Sequence, residues 1–441
     1  MTVNLEAGGA TDAAAFARIP SGNGQALTYA PLPNDQIPPN EVALVFLWPG
    51  GPGGVAPPST TAAFHITTSA PVVAYDIDPY GGGPSAVTSA TLLIPTSAWG
   101  TNYIAVAPWP FGTNSQNPRL TLTAAEDATD VTISPVVDML GGTLDGAAVP
   151  GTAAGVPVTY SMNKGQTLRF EQEAELTGSA IESTKPIGMV GSSGCINIDA
   201  CCCDGAHQQI PPIKALGNEY VGVRYRNRVD GMEESPPWRV VGVVDGTTLT
   251  YEPATPAGAP TTLSLGQVIE FRSSGPFVIR SQDEDHPFYL AAYMTGGGDF
   301  GDAGDPEFVN VIPALQYLPN YVFFADPTYP ETNLVVVRRK AGDGMFKDVT
   351  LDCAGVLTGW QPIGATDYEL TRFDLVRFDF APQGNCDNGR REMKSDAPFG
   401  LTVWGWGTSA AQFTSTYVSY AYPAGAGVQP INQVVVPPVP K

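Results

Sequence analysis

The sequence predicts an all-β protein made of tandem, closely packed β-sandwich-like modules of one repeating design. Three observations lead there. Charged residues make up only 15% of the 441, while glycine and proline number 49 and 42. Average soluble proteins carry about a quarter charged residues, and this usage suits short strands separated by tight turns rather than helices. Apolar and polar residues alternate around Val131, Leu249 and Val349, the period of half-buried strands. Finally, an ordered set of landmarks recurs three times, the mark of a repeat architecture.

Each copy opens on an Ile-Pro followed by a Tyr that begins a β-branched run. The copies are Ile94-Pro95 with Tyr103, Ile210-Pro211 with Tyr220, and Ile312-Pro313 with Tyr321. An alternating strand follows, reached at Val131, Leu249 and Val349, which lie 37, 39 and 37 residues after the Ile. A strand ending in Phe170, Phe271 and Phe378 comes next. Last is a polar turn closed by a proline that opens an apolar strand, at Pro186, Pro287 and Pro398. Proline is tolerated at a strand's first residue because no ladder donor is lost there.

These landmarks divide the chain into an N-terminal extension with a partial module (1–93), three modules (94–209, 210–311 and 312–409) and a C-terminal strand with a Pro-rich tail (410–441). The partial copy starts at Ile37-Pro38 and reaches its proline landmark at Pro71. Near the C-terminus, Val434, Val435 and Val436 read as the opening strand of a fourth module. An unpartnered strand has to pair somewhere. It either closes back onto the N-terminal partial copy or joins a neighbouring chain by strand addition.

The 43 acidic and 22 basic residues give a net charge of −21, which repels phosphate backbones and argues against nucleic-acid binding. No apolar span is long enough for membrane insertion, and no basic segment leads into an apolar core; any export signal is expected to have been removed.

Six cysteines, Cys195, Cys201, Cys202, Cys203, Cys353 and Cys386, read as disulfides formed in an oxidising compartment. The cluster ending at His207 carries zinc-type ligands, but three adjacent cysteines cannot converge on one tetrahedral ion without severe strain. Two local disulfides stapling the connection between modules fit better, with the pairing left open. Cys353 and Cys386 lie on landmark strands, and a bridge there stabilises by roughly 3 kcal/mol on the loop-entropy model.

Other chemistry is sparse. His65, His207 and His286 have no nucleophile partner in a recognisable setting, and Gly191 to Gly194 lacks the nucleophile-elbow pattern. Carboxylates are plentiful, yet no glycosidase-like pair stands out. Asp299, Asp302, Asp305 and Glu307 form a spaced oxygen-ligand loop, a candidate for calcium, and no other cofactor is expected. Trp404 and Trp406 share one face of a strand, a binding platform if exposed and sheet packing if buried.

The run Cys201-Cys-Cys-Asp204-Gly-Ala-His207-Gln-Gln209-Ile-Pro211 resembles the N-terminal domain of IgG Fc-binding proteins. The likeness continues through the Leu216–Val221 segment, the Trp238 strand to Asp245, and Gly304-Asp-Pro306. Its closing Tyr417-Val-Ser-Tyr-Ala-Tyr-Pro segment is similar to bacterial exported members. The resemblance implies a secreted or cell-surface, non-enzymatic protein that binds a protein or glycan, for example as an adhesin. The alternatives are a subunit of an extracellular filament or sheath, self-associating through its terminal strands, and a carbohydrate-active enzyme.

Overall fold

The computed structural model describes residues 1–6, 10–11, 16–47, 63–83, 85–200, 202–411 and 415–438, and it is β throughout with only short 3-10 turns. The first and third sequence repeats each fold around one long central strand whose two halves pair with different neighbours. In the first repeat this strand is Ala180–Ile196. Its first half pairs with Gly100–Ile104 and Thr129–Ser134, its second with Arg119–Ala124 and Asp204–Ile210. In the third repeat Gly389–Trp406 does the same, between Leu318–Ala325 and Val349–Leu351 on one side and Glu331–Arg339 and Ser419–Pro423 on the other.

The second repeat breaks this strand into Phe277–Ser281 and Phe288–Met294, giving two separate four-stranded sheets. The proline landmarks explain the difference. Pro287 closes a true turn, as expected from sequence. Pro186 and Pro398 instead lie inside continuous strands, where the partner's register shifts. A shift of register is a place in a sheet that accepts a residue without an N–H.

The repeated tyrosine holds each module together. The hydroxyl of Tyr103 accepts the Gly100 N–H (3.0 Å) and donates to the Ile187 carbonyl (2.6 Å). Tyr220 does the same for Gly217 (3.0 Å) and Phe288 (2.6 Å). Tyr321 repeats it for Leu318 (3.0 Å) and Phe399 (2.5 Å). In all three copies the opening landmark is therefore tied to the residue after the last proline landmark. The 3-10 turns before these tyrosines, Thr96–Ala98, Ile213–Ala215 and Ala314–Gln316, are capped by Pro95, Pro212 and Pro313. In the second copy the capping residue is thus Pro212, one place later than the Ile210-Pro211 landmark indicates.

Neighbouring repeats approach closely at these turns. A Cβ on Gly100 would lie 2.5 Å from the Pro212 side chain, and one on Gly217 would lie 2.4 Å from Pro313. An ion pair and arginine–carbonyl hydrogen bonds reinforce the contacts. Arg239, buried between the first two repeats, reaches Glu175 and the Ala107 carbonyl. Arg372 of the third repeat donates to the Arg224 carbonyl of the second at 2.8 Å.

The last strand of each unit lies innermost. Ser89–Leu92 from the N-terminal copy, Asp204–Ile210, Glu307–Asn310 and Ser419–Pro423 each pack beside two of the others, in a closed ring of four. The Gln208 amide sits at the centre, its Nε2 within 2.8–3.2 Å of the carbonyls of Ala90, Phe308 and Ala421, one from each other strand. The N-terminal partial copy is thus the fourth member of the ring.

The C-terminal end meets that copy through Ser419–Pro423, and Val434–Val436 takes another course. The tail crosses the three 3-10 turns in reverse order. Gln429 bonds Gln316, the Asn432 amide donates to the carbonyls of Ile213 (2.7 Å) and Leu216 (2.8 Å), and Asn102 clamps Val436 at 2.7 and 2.8 Å. Val436 is buried in the first repeat's core and Val435 is exposed. The expected strand ladder is absent from this segment; side-chain amides hold it on its own chain.

Replacing Tyr103, Tyr220 or Tyr321 by Phe leaves a buried N–H and a buried carbonyl unpaired. Each change is expected to cost about 1–3 kcal/mol, read as a lower urea midpoint for unfolding.

Candidate binding face

Loops of the three repeats are linked in series by hydrogen bonds and ion pairs, and each carries an exposed apolar side chain. Phe111 stands on the loop 108–118 of the first repeat, which leans on the cysteine cluster. Gln116 N–H donates to the Cys195 carbonyl (2.8 Å), and Ser193 donates to the Gln116 carbonyl (3.2 Å). The Cys195–Cys203 disulfide closes the next loop. Cys202, also in it, has a positive φ of 83°, while Cys201 lies outside the described residues. Arg272 then bridges to the second repeat's loop, donating to Asp199 (2.7 Å) and to the Ser235 carbonyl (3.2 Å). From there Asp230 pairs with Arg377 of the third repeat at 3.2 Å, and the Arg377 guanidinium covers the Phe378 ring at 4.7 Å.

Three large apolar side chains project from this surface. Phe111 is 42% exposed, Met232 42% and Phe378 52%. Phe378 sits at a hairpin tip with φ at 59°, a left-handed conformation that costs an aromatic residue about 1–2 kcal/mol. Backbone strain of that kind clusters at binding and catalytic sites. The Glu331 carboxylate holds it by accepting the Phe378 N–H (2.8 Å).

Beneath the loops the support is rigid. Arg226 joins Glu331 and Asp374 (2.8 Å to the latter) and lies 4.7 Å over Trp406. Burial pushes the Glu331 carboxyl up despite the Arg226 charge beside it. Arg228 is fully enclosed, bonding Glu234 and the carbonyls of Thr295 and Ala303, both at 2.8 Å. Tyr225 donates to Glu234 (2.8 Å) and packs on Trp404 and Trp406 with ring centroids 4.9 and 5.9 Å away. The segment 225–236 is therefore anchored at its base, which presents Met232 in a defined position.

This arrangement reassigns several residues singled out from sequence. Trp404 and Trp406 are 1% and 0% exposed and belong to the core, so they brace the loop instead of forming a surface platform. Alternation alone cannot say which face of a two-sided sheet is covered. The four spaced carboxylates split up. Asp299 and Asp302 stay in solvent, where Asp302 accepts the Tyr417 hydroxyl (2.6 Å), whereas Asp305 and Glu307 turn inside the ring of strands. They do not converge, and among the described residues no group of three or more His, Cys, Asp or Glu is placed to hold a metal. Cys353 and Cys386 form the second disulfide. Phe111 and Met232 carried no pattern in the sequence, and Phe378, read there as the end of a strand like the buried Phe170 and Phe271, instead stands exposed in the turn after Tyr368–Arg377.

Opening the Cys195–Cys203 bridge with Cys195→Ser and Cys203→Ser is expected to raise amide exchange in residues 112–116 and 196–200. Exchange in the second and third repeats should stay unchanged.

The chain is similar to known proteins over most of its length. A family model described as IgGFc binding protein matches residues 89–405. The human IgGFc-binding protein is 24% identical over 298 residues, covering 66% of this chain and 5% of that protein. The match begins at the innermost strand of the N-terminal copy and runs through the central strand of the third repeat, taking in all the loops described above. The chain belongs to the IgGFc-binding protein family.

Proposed function

We propose that this protein is a non-enzymatic, extracellular or cell-surface binding protein that captures a protein partner on the Phe111–Met232–Phe378 face. The support is one observation: three exposed apolar side chains, rimmed by ion pairs, stand on loops locked from below by buried arginines. Apolar anchors within a polar rim on a pre-organised surface are the anatomy of a protein-binding site. Two disulfides accord with an oxidising compartment. No helix among the described residues is long and apolar enough to cross a membrane. The filament reading draws less support, since Val436 is buried against its own chain.

The name of the human relative makes the IgG Fc fragment the natural probe. Surface plasmon resonance on immobilised Fc is expected to show binding. Combining Phe111→Ser, Met232→Ser and Phe378→Ser should weaken it by at least about tenfold, as loss of interface anchors does. Unchanged affinity in that variant would move the site elsewhere. No binding by the parent protein would remove immunoglobulin as the ligand.

A further inference from the structure

The N-terminal strand Ser89–Leu92 and the turn leading into it are held by one buried carboxyl from each repeat: Asp204 at Thr88, Glu307 at Ser89 and Asp326, through Thr328, at Gly83. Asp204 of the first repeat accepts the Thr88 N–H and lies 3.1 Å from the Thr88 hydroxyl; it also accepts the Ser419 N–H (2.9 Å). Glu307 of the second accepts the Ser89 hydroxyl at 3.2 Å. Asp326 of the third accepts the N–H and hydroxyl of Thr328 (2.8 and 2.7 Å). The Thr328 hydroxyl in turn accepts the Gly83 N–H (3.3 Å). All three carboxyls are 0% exposed.

The charges around them do not compensate. Asp204 faces Asp305 and Glu307, and Asp305 is itself 1% exposed. The cation beside Asp305 is Arg228, already paired with Glu234. Asp326 is surrounded by the hydroxyls of Tyr29, Tyr80, Tyr329, Tyr420 and Tyr422. On the flank of the same strands His207 faces Asp76 and Asp78. One oxygen each of Asp305, Glu307 and Asp326 is buried without a hydrogen-bond partner. Three or four buried carboxylates with so little opposing charge are costly if ionised, and the usual relief is to take up protons.

We propose that Asp204, Asp305, Glu307 and Asp326 form a proton-loaded latch that holds the N-terminal strand in the ring in acid and loosens it as pH rises past neutrality. Titration directions agree with this geometry. Burial, then repulsion from Asp305, holds Asp204 well above the carboxylate range, and burial, then Asp204, does the same for Glu307. Burial pushes Asp305 up to about 7 against the pull of Arg228, and Asp326 to about 6. For His207 burial pulls downward, but Asp76 and Asp78 outweigh it and raise the imidazole. Folded-state values raised in this way mean that the folded chain binds more protons than the unfolded one. The stabilisation is complete below the ordinary carboxylate range near pH ~4 and is lost as pH climbs through 6 to 7 and beyond.

Hydrogen exchange of the full chain, corrected for intrinsic rates, tests the latch. Peptides covering residues 75–92 are expected to be at least about tenfold more protected at about pH 5 than at about pH 8, the change that one unit of differential proton affinity produces. Peptides from Ala180–Ile196 should not change. Asp204→Asn, Glu307→Gln and Asp326→Asn, as single neutral mimics, are each expected to shrink that difference. The comparison in the parent protein needs no variant and stands if one fails to fold. Equal protection at both pH values, or loosening of the whole chain together, would overturn the latch. Full recovery of protection at about pH 8 on adding calcium would also overturn it, reassigning the carboxyls to a cation.

Discussion

Four inner strands meet at the centre of this protein without a backbone ladder between them, and the peptide groups there still need partners. Buried N–H and C=O groups left unpaired cost about 1–3 kcal/mol each. Side chains meet the demand. The Gln208 amide reaches carbonyls on the other three strands, Asn310 donates to the Gln209 carbonyl at 2.9 Å, and Ser419 donates to the Asp305 carbonyl at 2.5 Å. The polar residues of the Asp204–Ile210 run, unusual for the middle of a core, have this structural reason. It also explains why the N-terminal copy cannot be a loose appendage: Thr88, Ser89 and Thr91 supply the fourth side of the same network.

The loops that converge at one end are positioned by the same packing. Arg226, Arg228 and Arg239 lie at or near contacts between repeats and are bonded to carboxylates and carbonyls, so little of their charge is free for a ligand. What reaches solvent above them is apolar or paired: Phe111, Met232, Phe378, Arg272 with Asp199, and Arg377 with Asp230. A surface of this kind offers apolar area more than free charge.

Much of the scaffold was legible before any coordinate. Tyr103, Tyr220 and Tyr321 stood out by spacing, and each proves to clamp its module. The bridge expected between Cys353 and Cys386 is present, although both lie in turns beside the strands rather than on them. The one-residue offset at Pro212 and the continuous strands through Pro186 and Pro398 were not legible, because a register shift leaves no mark on local composition. The exposure of Phe111 and Met232 was equally hidden, and Phe378 was misread as a strand end because the turn after Arg377 is set by packing against Glu331 rather than by alternation.

By itself the sequence determined the β architecture, the pairing of Cys353 with Cys386 and the family likeness, since these are written in local spacing and residue type. Only the tertiary structure decided what the ends do and which residues see solvent. The N-terminal copy closes the ring, the valine tail lies across the turns of all three repeats, and the two tryptophans face inward. Those outcomes depend on which surfaces are covered by segments more than three hundred residues away, as where Asn102 holds Val436 at a separation of 334. No local pattern encodes contacts at that distance.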